Sequence, residues 1–230
     1  MLISVIVPAL NEEENIERCL NSLLDQTASK RDYELIVSDS SSEDNTVKIA
    51  KPIADKVVKC KRVGAGFGRN YGVKFAKGKY LAFIDADSFA SPRWIEGIAE
   101  SLKNAVAATG PFSCMENRVK YKIYYNAWNA HTRFSLWMNY PEFPGFNFAV
   151  RKSNFVRAGG FPADSVVDDI MLSQKLNQYG RLAYNKKMQV KTSGRRLDEL
   201  GVLNYALRGW TYTLFKKQYK WESHRRDFKK

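Results

Sequence analysis

The chain has 230 residues, of which 44% are hydrophobic and 27% charged, an ordinary balance for a soluble globular protein with a sizeable core. No apolar run approaches the roughly 20 residues of a membrane-spanning helix, and the start of the chain lacks the basic segment of a secretory signal peptide. Three scattered cysteines, Cys19, Cys60 and Cys114, have no metal-binding spacing; they argue against structural zinc and predict a reducing, cytoplasmic location.

The formal net charge of +13 is the outlying feature of this composition. Residues 184–230 hold 13 Lys or Arg and 4 Asp or Glu, so they carry +9 of the total, while residues 1–183 carry +4. A basic segment of this kind can contact nucleic acid, an anionic membrane surface, or only solvent. Composition alone does not choose among the three.

The first half of the chain alternates strand-like and helix-like segments. Residues 2–7 form a β-branched apolar run, which predicts a buried strand that Pro8 ends because proline cannot donate to a sheet ladder. Asn11 is a favourable helix cap, and the three glutamates after it suit the first turn of a helix. Further strands are predicted at residues 33–37, 54–59, 80–84 and 105–109, and further helices start at Asp44 or Asn45, near residue 72, and at Pro92. This alternation predicts an α/β fold with a mostly parallel sheet and helices on both faces.

The second half of the chain is less regular. Residues 116–140 form a long aromatic segment compatible with a helix, and a strand at residues 147–150 precedes a helix that starts at Ser153. A helix is predicted at residues 168–179, with Gly180 as its C-cap, before a strand or loop at residues 183–190. Residues 203–221 place Leu and Trp on one helical face and are otherwise basic, which predicts a C-terminal amphipathic helix. Such a helix either lies in an anionic membrane interface or packs on the domain with a solvated basic side.

Carboxylates follow several of the predicted strands. Asp85 and Asp87 come directly after the apolar strand at residues 80–84, where open α/β sheets bind ligands, and their hard oxygen atoms suit a divalent cation. Taken alone, a turn in which Asp87 caps the next helix is an equally good interpretation. Asp39 ends the second strand, where it can accept hydrogen bonds from a base or ribose. With the pair Asp168 and Asp169, these residues predict an acidic site that needs a cation or a basic partner to be stable.

A glycine-rich segment, GAGFGRN, spans residues 64–70. It is not a dinucleotide fingerprint, because that motif follows the first strand of a βαβ unit. We expect its glycines to let the backbone approach a diphosphate while Arg69 pairs with a phosphate oxygen. The alternative interpretation is a mobile loop with an ordinary surface arginine.

Five motifs in this order resemble glycosyltransferase family 2: PALNEEENIERCL, SDSSSEDNT, GRNYG, FIDADS and VDDIML. The resemblance covers about residues 2–196 and implies the GT-A fold, with a nucleotide-binding half at residues 1–110 and an acceptor half at residues 111–196. Residues 197–230 are then a basic C-terminal extension. The implied activity is inverting transfer of a sugar from a UDP- or GDP-linked donor to an acceptor hydroxyl. The QxxRW signature of processive synthases is absent, which indicates that one sugar is added at a time.

The resemblance also implies roles for individual residues. The nucleotide and its ribose would be bound by Pro8, Asn11, Glu12, Asp39 and Asp85, and Arg69 and Asn70 would lie near the diphosphate. Outside the family pattern, Arg195 and Arg196 are expected to hold the leaving diphosphate because a guanidinium pairs well with phosphate. Asp87 would be the principal ligand of a Mn²⁺ or Mg²⁺ ion. Asp169 would be the catalytic base, with Asp168 in the preceding acidic position.

The implied reaction needs two separate carboxylate sites. One carboxylate takes the proton of the acceptor hydroxyl on the face opposite the leaving diphosphate. A cation neutralises the charge that builds on that diphosphate. The sequence supplies two acidic pairs, of which Asp87 and Asp168 are 81 residues apart.

Some features depart from the family pattern or leave alternatives open. Where some members have a late histidine metal ligand, this chain has KTSGRR at residues 191–196, and nothing ties His131 or His224 to a metal. The aromatic region at residues 121–148 fits either an acceptor platform or ordinary core. A lipid-linked or membrane-presented acceptor and a peripheral position on the cytoplasmic membrane are expected from the basic extension. The rival functions are a nucleotidyltransferase and a non-catalytic nucleic-acid or membrane-surface binding protein; the acidic cluster argues against nucleic acid.

Overall fold

The computed structural model describes residues 2–61, 63–162, 165 and 167–195. The elements of its first half are β1 (Ile3–Ala9), α1 (Ile16–Leu24), β2 (Tyr33–Asp39), α2 (Thr46–Ala50), β3 (Lys56–Lys59), α3 (Ala65–Val73), β4 (Tyr80–Phe83), β5 (Ser88–Ala90), α4 (Trp94–Ser101) and β6 (Ala107–Thr109). Those of its second half are β7 (Phe112–Cys114), α5 (Val119–Trp137), β8 (Phe148–Arg151), α6 (Lys152–Ala158), α7 (Asp168–Asn177), β9 (Leu182–Tyr184) and β10 (Val190–Thr192). The predicted helix at residues 203–221 lies outside the described residues.

A seven-stranded sheet in the order β3-β2-β1-β4-β8-β6-β9 forms the centre of the described fold. Its β3-β2, β2-β1, β1-β4 and β6-β9 pairs are parallel, whereas β8 runs antiparallel to both β4 and β6. The prediction of an α/β fold with a mostly parallel sheet is confirmed. The carboxyl ends of β1, β2 and β4 therefore meet along one edge, and the candidate site lies there.

The sheet is buried on both faces, which explains why its central strands are almost continuously apolar. Successive side chains of β1 point to opposite faces of the sheet. Val5 and Val7 pack in a cluster with α1, α4 and α5, and Ile6 packs in a cluster with α3, α6 and α7. Helices thus cover both faces, as the strand–helix alternation predicts.

A second sheet of three short strands, in the order β5-β10-β7, lies beside the carboxyl end of β4. β10 pairs antiparallel with β5 and parallel with β7. The Ser88 hydroxyl donates to Thr192 Oγ1 at 2.9 Å, and the Ser193 amide donates to the carbonyl oxygen of Asp87 at 3.2 Å. Through this small sheet, residues more than a hundred positions apart in the chain meet at the acidic turn after β4.

Two details at the end of β1 differ from the prediction. Pro8 lies within β1, because pairing with β4 stops at Ile6 while pairing with β2 continues to Ala9, so a proline is tolerated there. The first helix begins at Ile16, not just after Asn11. Asn11 has a left-handed φ of 52°, and its side-chain oxygen accepts a hydrogen bond from the Glu43 amide, which ties this segment to the loop before α2.

The glycine-rich segment forms helix α3, so the helix begins at Ala65 and not near residue 72, and the alternative interpretation of a mobile loop is wrong. A methyl group at Gly72 would come within 2.6 Å of Ile6 Cγ2, and one at Gly68 would meet Ser40 Oγ at 3.4 Å. The missing side chains therefore let α3 pack closely against β1 and the end of β2. In this structure the glycines serve helix–strand packing. No helix in the part of the chain that the structure describes is long and apolar enough to cross a membrane.

Candidate active site

Asp39 lies at the carboxyl end of β2 with its side chain fully buried. Its Oδ2 atom accepts a hydrogen bond from the Ser42 amide at 3.1 Å. Its Oδ1 atom has no donor within the described residues. A buried carboxylate oxygen without a donor is unfavourable by about 1–3 kcal/mol or more, so a ligand N–H or O–H that reaches this atom would be bound selectively.

Arg195 joins two carboxylates that come from different loops. Its Nη2 atom donates to Glu12 Oε1 at 2.6 Å and to Asp87 Oδ2 at 3.2 Å. The Asp87 side chain is buried, whereas the Arg195 side chain is 40% exposed. Arg195 therefore lies over the acidic turn after β4. Because its side chain is partly exposed, an anionic ligand can reach its guanidinium. This geometry fits the prediction that Arg195 lies at the diphosphate, while Arg196 is outside the described residues.

Arg69 is buried between carboxylates that are far apart in the chain. Its Nη2 atom donates to Asp85 Oδ1 at 2.8 Å, and its Nη1 atom lies 3.4 Å from Asp168 Oδ2. The guanidinium also lies over the ring of Phe161, with 5.2 Å between Cζ and the ring centroid, a cation–π contact. The nucleotide-side carboxylate and the acidic pair are thus linked through one cation. Whether Arg69 also contacts a diphosphate stays a prediction.

Two glycines make room for this cluster. A methyl group at Gly145 would come within 2.8 Å of Arg69 Cζ, and one at Gly66 would overlap the Asp168 carboxylate. Both positions therefore require the smallest residue, since the guanidinium and carboxylate are buried and have no space to retreat.

Asp168 and Asp169 begin helix α7 and are held by backbone amides. Asp169 Oδ2 accepts a hydrogen bond from the Gly145 amide at 2.6 Å, and its Oδ1 atom accepts one from the Ile170 amide at 2.8 Å. Burial raises the pKa of both carboxyl groups, and the nearby Arg69 guanidinium opposes this shift. A carboxylate with a raised pKa at a helix N-terminus is a stronger base than an exposed one.

The other predicted residues occupy defined places near this cluster. Asn70 Nδ2 donates to the Phe161 carbonyl at 2.7 Å, and its Oδ1 atom accepts from the Phe161 amide at 3.0 Å. Asn70 thus fixes the aromatic ring that packs on Arg69. Pro8 and Asn11 lie at and just after the end of β1, on the same edge as Asp39. His131 is bonded to Glu142 at 2.8 Å, and this hydrogen bond raises the pKa of His131; His224 is outside the described residues.

A divalent cation fits the oxygen atoms at the β4 turn. In the part of the chain that the structure describes, no group of three or more His, Cys, Asp or Glu side chains has metal-binding geometry. The Asp85 and Asp87 carboxylates are nevertheless the hard ligands that Mg²⁺ and Mn²⁺ prefer, and Mg²⁺ is commonly held by one or two carboxylates together with substrate phosphates. The cation would thus bind with a phosphate-bearing ligand.

Sequence reasoning missed three residues that build the site. Glu116 accepts hydrogen bonds from the Gly194 amide at 2.8 Å and from the Ser193 hydroxyl at 3.4 Å, so it anchors the turn before Arg195. Gly145 and Phe161 shape the Arg69 pocket as described above. A lone glutamate and a lone phenylalanine carry no local signal, although the Pro-Gly dipeptide at residues 144–145 marks a turn.

The comparisons with known proteins agree with these features. Residues 4–159 match the family model described as glycosyl transferase family 2. Glycosyltransferase AglE of Haloferax volcanii is 36% identical over 100 residues, which are 41% of this chain and 33% of AglE. The poly(ribitol-phosphate) beta-glucosyltransferase of Bacillus spizizenii is 40% identical over 96 residues, which are 39% of this chain and 15% of that protein. The matched segments thus span a third or less of these two relatives.

Solved structures show the same fold. Mannosyltransferase PcManGT from Pyrobaculum calidifontis, in complex with GDP-Man and Mn²⁺, has a TM-score of 0.68 and 22% identity, covering 90% of this chain and 64% of that one. Residues 1–349 of S. aureus TarS in complex with UDP-GlcNAc have a TM-score of 0.68 and 21% identity, covering 84% of this chain and 58% of that one. At these identities the likeness concerns the fold, and it confirms the predicted GT-A architecture.

Proposed function

The chain belongs to glycosyl transferase family 2, and we propose that it is a cation-dependent, inverting glycosyltransferase that moves one sugar from a nucleotide-sugar to an acceptor hydroxyl. One observation carries the proposal. Asp85, on the nucleotide side, and Asp168, next to the proposed base, are held on either side of the buried Arg69 guanidinium. Inverting transfer needs two such carboxylate sites at a fixed separation, one for the donor and one for the acceptor proton.

The donor is a nucleotide-sugar with a UDP or GDP group. Asp39 supports this proposal, because its buried Oδ1 atom lacks a donor that the N–H of a base would provide. The structures of PcManGT with GDP-Man and of TarS with UDP-GlcNAc have the same fold as this chain. The proposed pocket consists of Pro8, Asn11, Glu12, Asp39 and Asp85.

The diphosphate lies between a cation site and basic side chains. Asp87, supported by Asp85, would hold Mn²⁺ or Mg²⁺, which neutralises charge on the leaving diphosphate when it is bound. Arg195 supports the same diphosphate, because its exposed guanidinium lies 3.2 Å from Asp87 Oδ2. Arg196 is proposed to bind the diphosphate together with Arg195. Arg69 and Asn70 are proposed to lie near the same diphosphate.

Asp169 is the proposed catalytic base. The Gly145 and Ile170 amides fix its two oxygen atoms, so the carboxylate is oriented before the acceptor arrives. Burial raises its pKa, which brings its proton affinity closer to that needed for taking a proton from a hydroxyl group. Asp168 holds Arg69 and thereby the geometry of the pair.

The acceptor is proposed to bind in the half formed by residues 111–196, with residues 197–230 as a basic extension. The acceptor is proposed to be lipid-linked or presented at a membrane, because the net charge of +13 attracts the chain to an anionic membrane surface. The protein would then lie peripherally on that membrane. Several relatives are named for action on poly(ribitol-phosphate), which is a polymeric acceptor.

Titration calorimetry with UDP and GDP tests the donor and cation sites. We expect binding of one nucleotide that requires Mn²⁺ or Mg²⁺ and that Asp87→Asn removes. Asp25→Asn, a change of an exposed carboxylate at the end of α1, serves as the matched control and should bind like the wild type. Absence of any cation-dependent binding of either nucleotide contradicts the proposal.

A further inference from the structure

Helix α5 has a row of large apolar side chains that face solvent. Val119, Ile123, Phe134, Trp137 and the adjacent Met138 are 72%, 66%, 57%, 75% and 54% exposed. At about 100° per residue, their spacing places them on one side of the helix; we call this side the α5 outer face. It runs the length of a 19-residue helix, or about 28 Å at 1.5 Å per residue.

The opposite side of α5 is already packed on the domain. Tyr121, Tyr125, Thr132 and Ser135 are buried there, and the two tyrosines join the cluster beneath the main sheet. The helix is therefore apolar on two sides, and the described residues of the domain cover one of them. Exposed large apolar side chains at both ends of one helix face, Val119 and Ile123 at its start and Phe134, Trp137 and Met138 at its end, mark an interaction surface.

The charges around the stripe indicate what covers it. Helix α5 contains no Asp or Glu, and the exposed Lys122 and Arg133 lie along one edge of the stripe. A second copy of the chain would bring these like charges together. Residues 197–230 carry 8 Lys or Arg against 4 Asp or Glu, so they too are a poor electrostatic match for this surface. An apolar stripe bordered by basic residues is complementary to anionic headgroups over acyl chains.

We propose that the α5 outer face docks on an anionic phospholipid bilayer. Phe134 and Trp137, whose ring centroids are 5.7 Å apart, enter the boundary between headgroups and acyl chains, while Lys122 and Arg133 contact headgroup phosphates. The docking surface is thus a described part of the catalytic domain, separate from the C-terminal basic extension.

Docking in this orientation would bring the candidate active site close to the bilayer. The Tyr125 hydroxyl donates to the Ser193 carbonyl at 3.3 Å, and Gly194 packs against Tyr121, so the inner side of α5 supports the turn that carries Arg195. Arg195 is then about one helix diameter, roughly 10 Å, from the docking surface. The further conclusion that the acceptor is a membrane lipid rests on the proposed function; the docking itself does not.

Co-sedimentation of the full chain with vesicles tests the proposal. We expect the wild type to bind mixed phosphatidylglycerol–phosphatidylcholine vesicles and to bind phosphatidylcholine vesicles weakly. The double variant Phe134→Ser with Trp137→Ser should partition at least about tenfold more weakly, because two large apolar anchors are lost. Val156→Ser is the matched control, since Val156 is 65% exposed on α6, which covers the opposite face of the sheet.

Charge variants separate this surface from the basic extension. Lys122→Glu and Arg133→Glu should each weaken binding to anionic vesicles about fivefold or more, whereas Lys175→Glu, on α7 at the opposite face of the sheet, should not. All of these positions are exposed, so the variants keep the fold. Unchanged calorimetric binding of UDP or GDP by the variants would support an effect on the membrane surface alone.

Three results would overturn the docking proposal. The first is no binding of the wild type to anionic vesicles. The second is equal binding by the wild type and the Phe134→Ser, Trp137→Ser chain, with loss only when Lys216 and Lys217 are changed to Glu. The third is a dimer in sedimentation velocity that the α5 variants dissociate, which would assign the face to a second copy of the chain. None of these results depends on whether the chain transfers sugar.

Discussion

Arg69 is the residue on which the charge balance of the candidate site depends. Its guanidinium is 4% exposed and faces carboxylates from the turn after β4 and from the start of α7. A buried cation is tolerated only when it is paired, and the buried carboxylates need it equally. The same contacts raise the pKa of Arg69, chiefly through Asp85 and Asp168 and against the effect of burial, so it stays charged throughout the accessible pH range.

Arg69→Met should therefore destabilise the folded protein by about 3–5 kcal/mol at neutral pH, because it leaves buried carboxylates without a counter-charge. The destabilisation by Arg69→Met should be smaller in acid, where Asp85 and Asp168 become protonated and need no counter-charge. Urea unfolding at several pH values measures both effects. Arg93→Met is the control: that arginine pairs with Glu96 in solvent, and its loss should leave the unfolding midpoint unchanged. An equal, pH-independent loss in both variants would refute the role of Arg69.

Asp169→Asn should lower sugar transfer by about 100-fold to 10,000-fold, the usual contribution of a general base, while donor binding stays intact. In the wild type, transfer should fall as the pH decreases through the raised pKa of the acidic pair, which lies above the ordinary carboxyl value. Initial rates against pH, together with calorimetry of the variant, check both statements. Full activity of Asp169→Asn would rule out its assignment as the base.

The stability of the protein should also report the raised pKa of Asp168. Between the ordinary carboxyl pKa and the raised folded-state pKa, the folded protein binds more protons than the unfolded chain. Its free energy of unfolding therefore falls as the pH rises through this window. Asp168→Asn should remove part of that slope. An identical pH dependence of unfolding for the two proteins would contradict the shift.

At the scale of elements, the close packing of α3 on the sheet is the feature least visible in the sequence. Its glycines suggest a loop, because glycine weakens a helix by about 1 kcal/mol relative to alanine. The helix forms nonetheless, since close approach to β1 and tertiary contacts offset this loss. Long segments of distinct composition, such as the apolar run of β1 and the aromatic segment of α5, are predicted from the local sequence. The three-residue strands β5 and β7 are too short to show a pattern and exist through their pairing with β10.

Two alanine substitutions in α3 test this account of its glycines. Gly72→Ala should destabilise the protein by about 1–3 kcal/mol, because the added methyl group would lie 2.6 Å from Ile6 Cγ2. Gly68→Ala meets only an ordinary contact at 3.4 Å and should be neutral or stabilising by up to about 1 kcal/mol, since alanine favours the helix. Thermal unfolding of both variants measures the difference. If Gly72→Ala were the more stable of the two variants, close packing on β1 would not be the reason for a glycine at position 72.

At the scale of the whole molecule, two long-range contacts assemble the site from its motifs. Arg69 contacts Asp168, 99 residues away, and Arg195 contacts Glu12, 183 residues away. The sequence locates the acidic motifs because each follows a recognisable strand or opens a helix. It does not show which charges pair, because local spacing has no information about partners on another element. The resemblance of five ordered motifs to a family places these residues in one site but does not say which of them pair. The match of residues 4–159 confirms the family and the solved structures confirm the fold, whereas the pairing of Arg69 with Asp168 and of Arg195 with Glu12 is read from the structure alone.

Product analysis with a panel of UDP- and GDP-linked sugars tests the proposed activity most directly. We predict that the wild type releases nucleoside diphosphate from at least one donor, that EDTA stops the release, and that Asp169→Asn lowers it about 100-fold or more. Asp25→Asn should react at the wild-type rate. Release of a nucleoside monophosphate, or no cation-dependent release from any donor in the panel, would contradict the assignment of this chain as a cation-dependent glycosyltransferase.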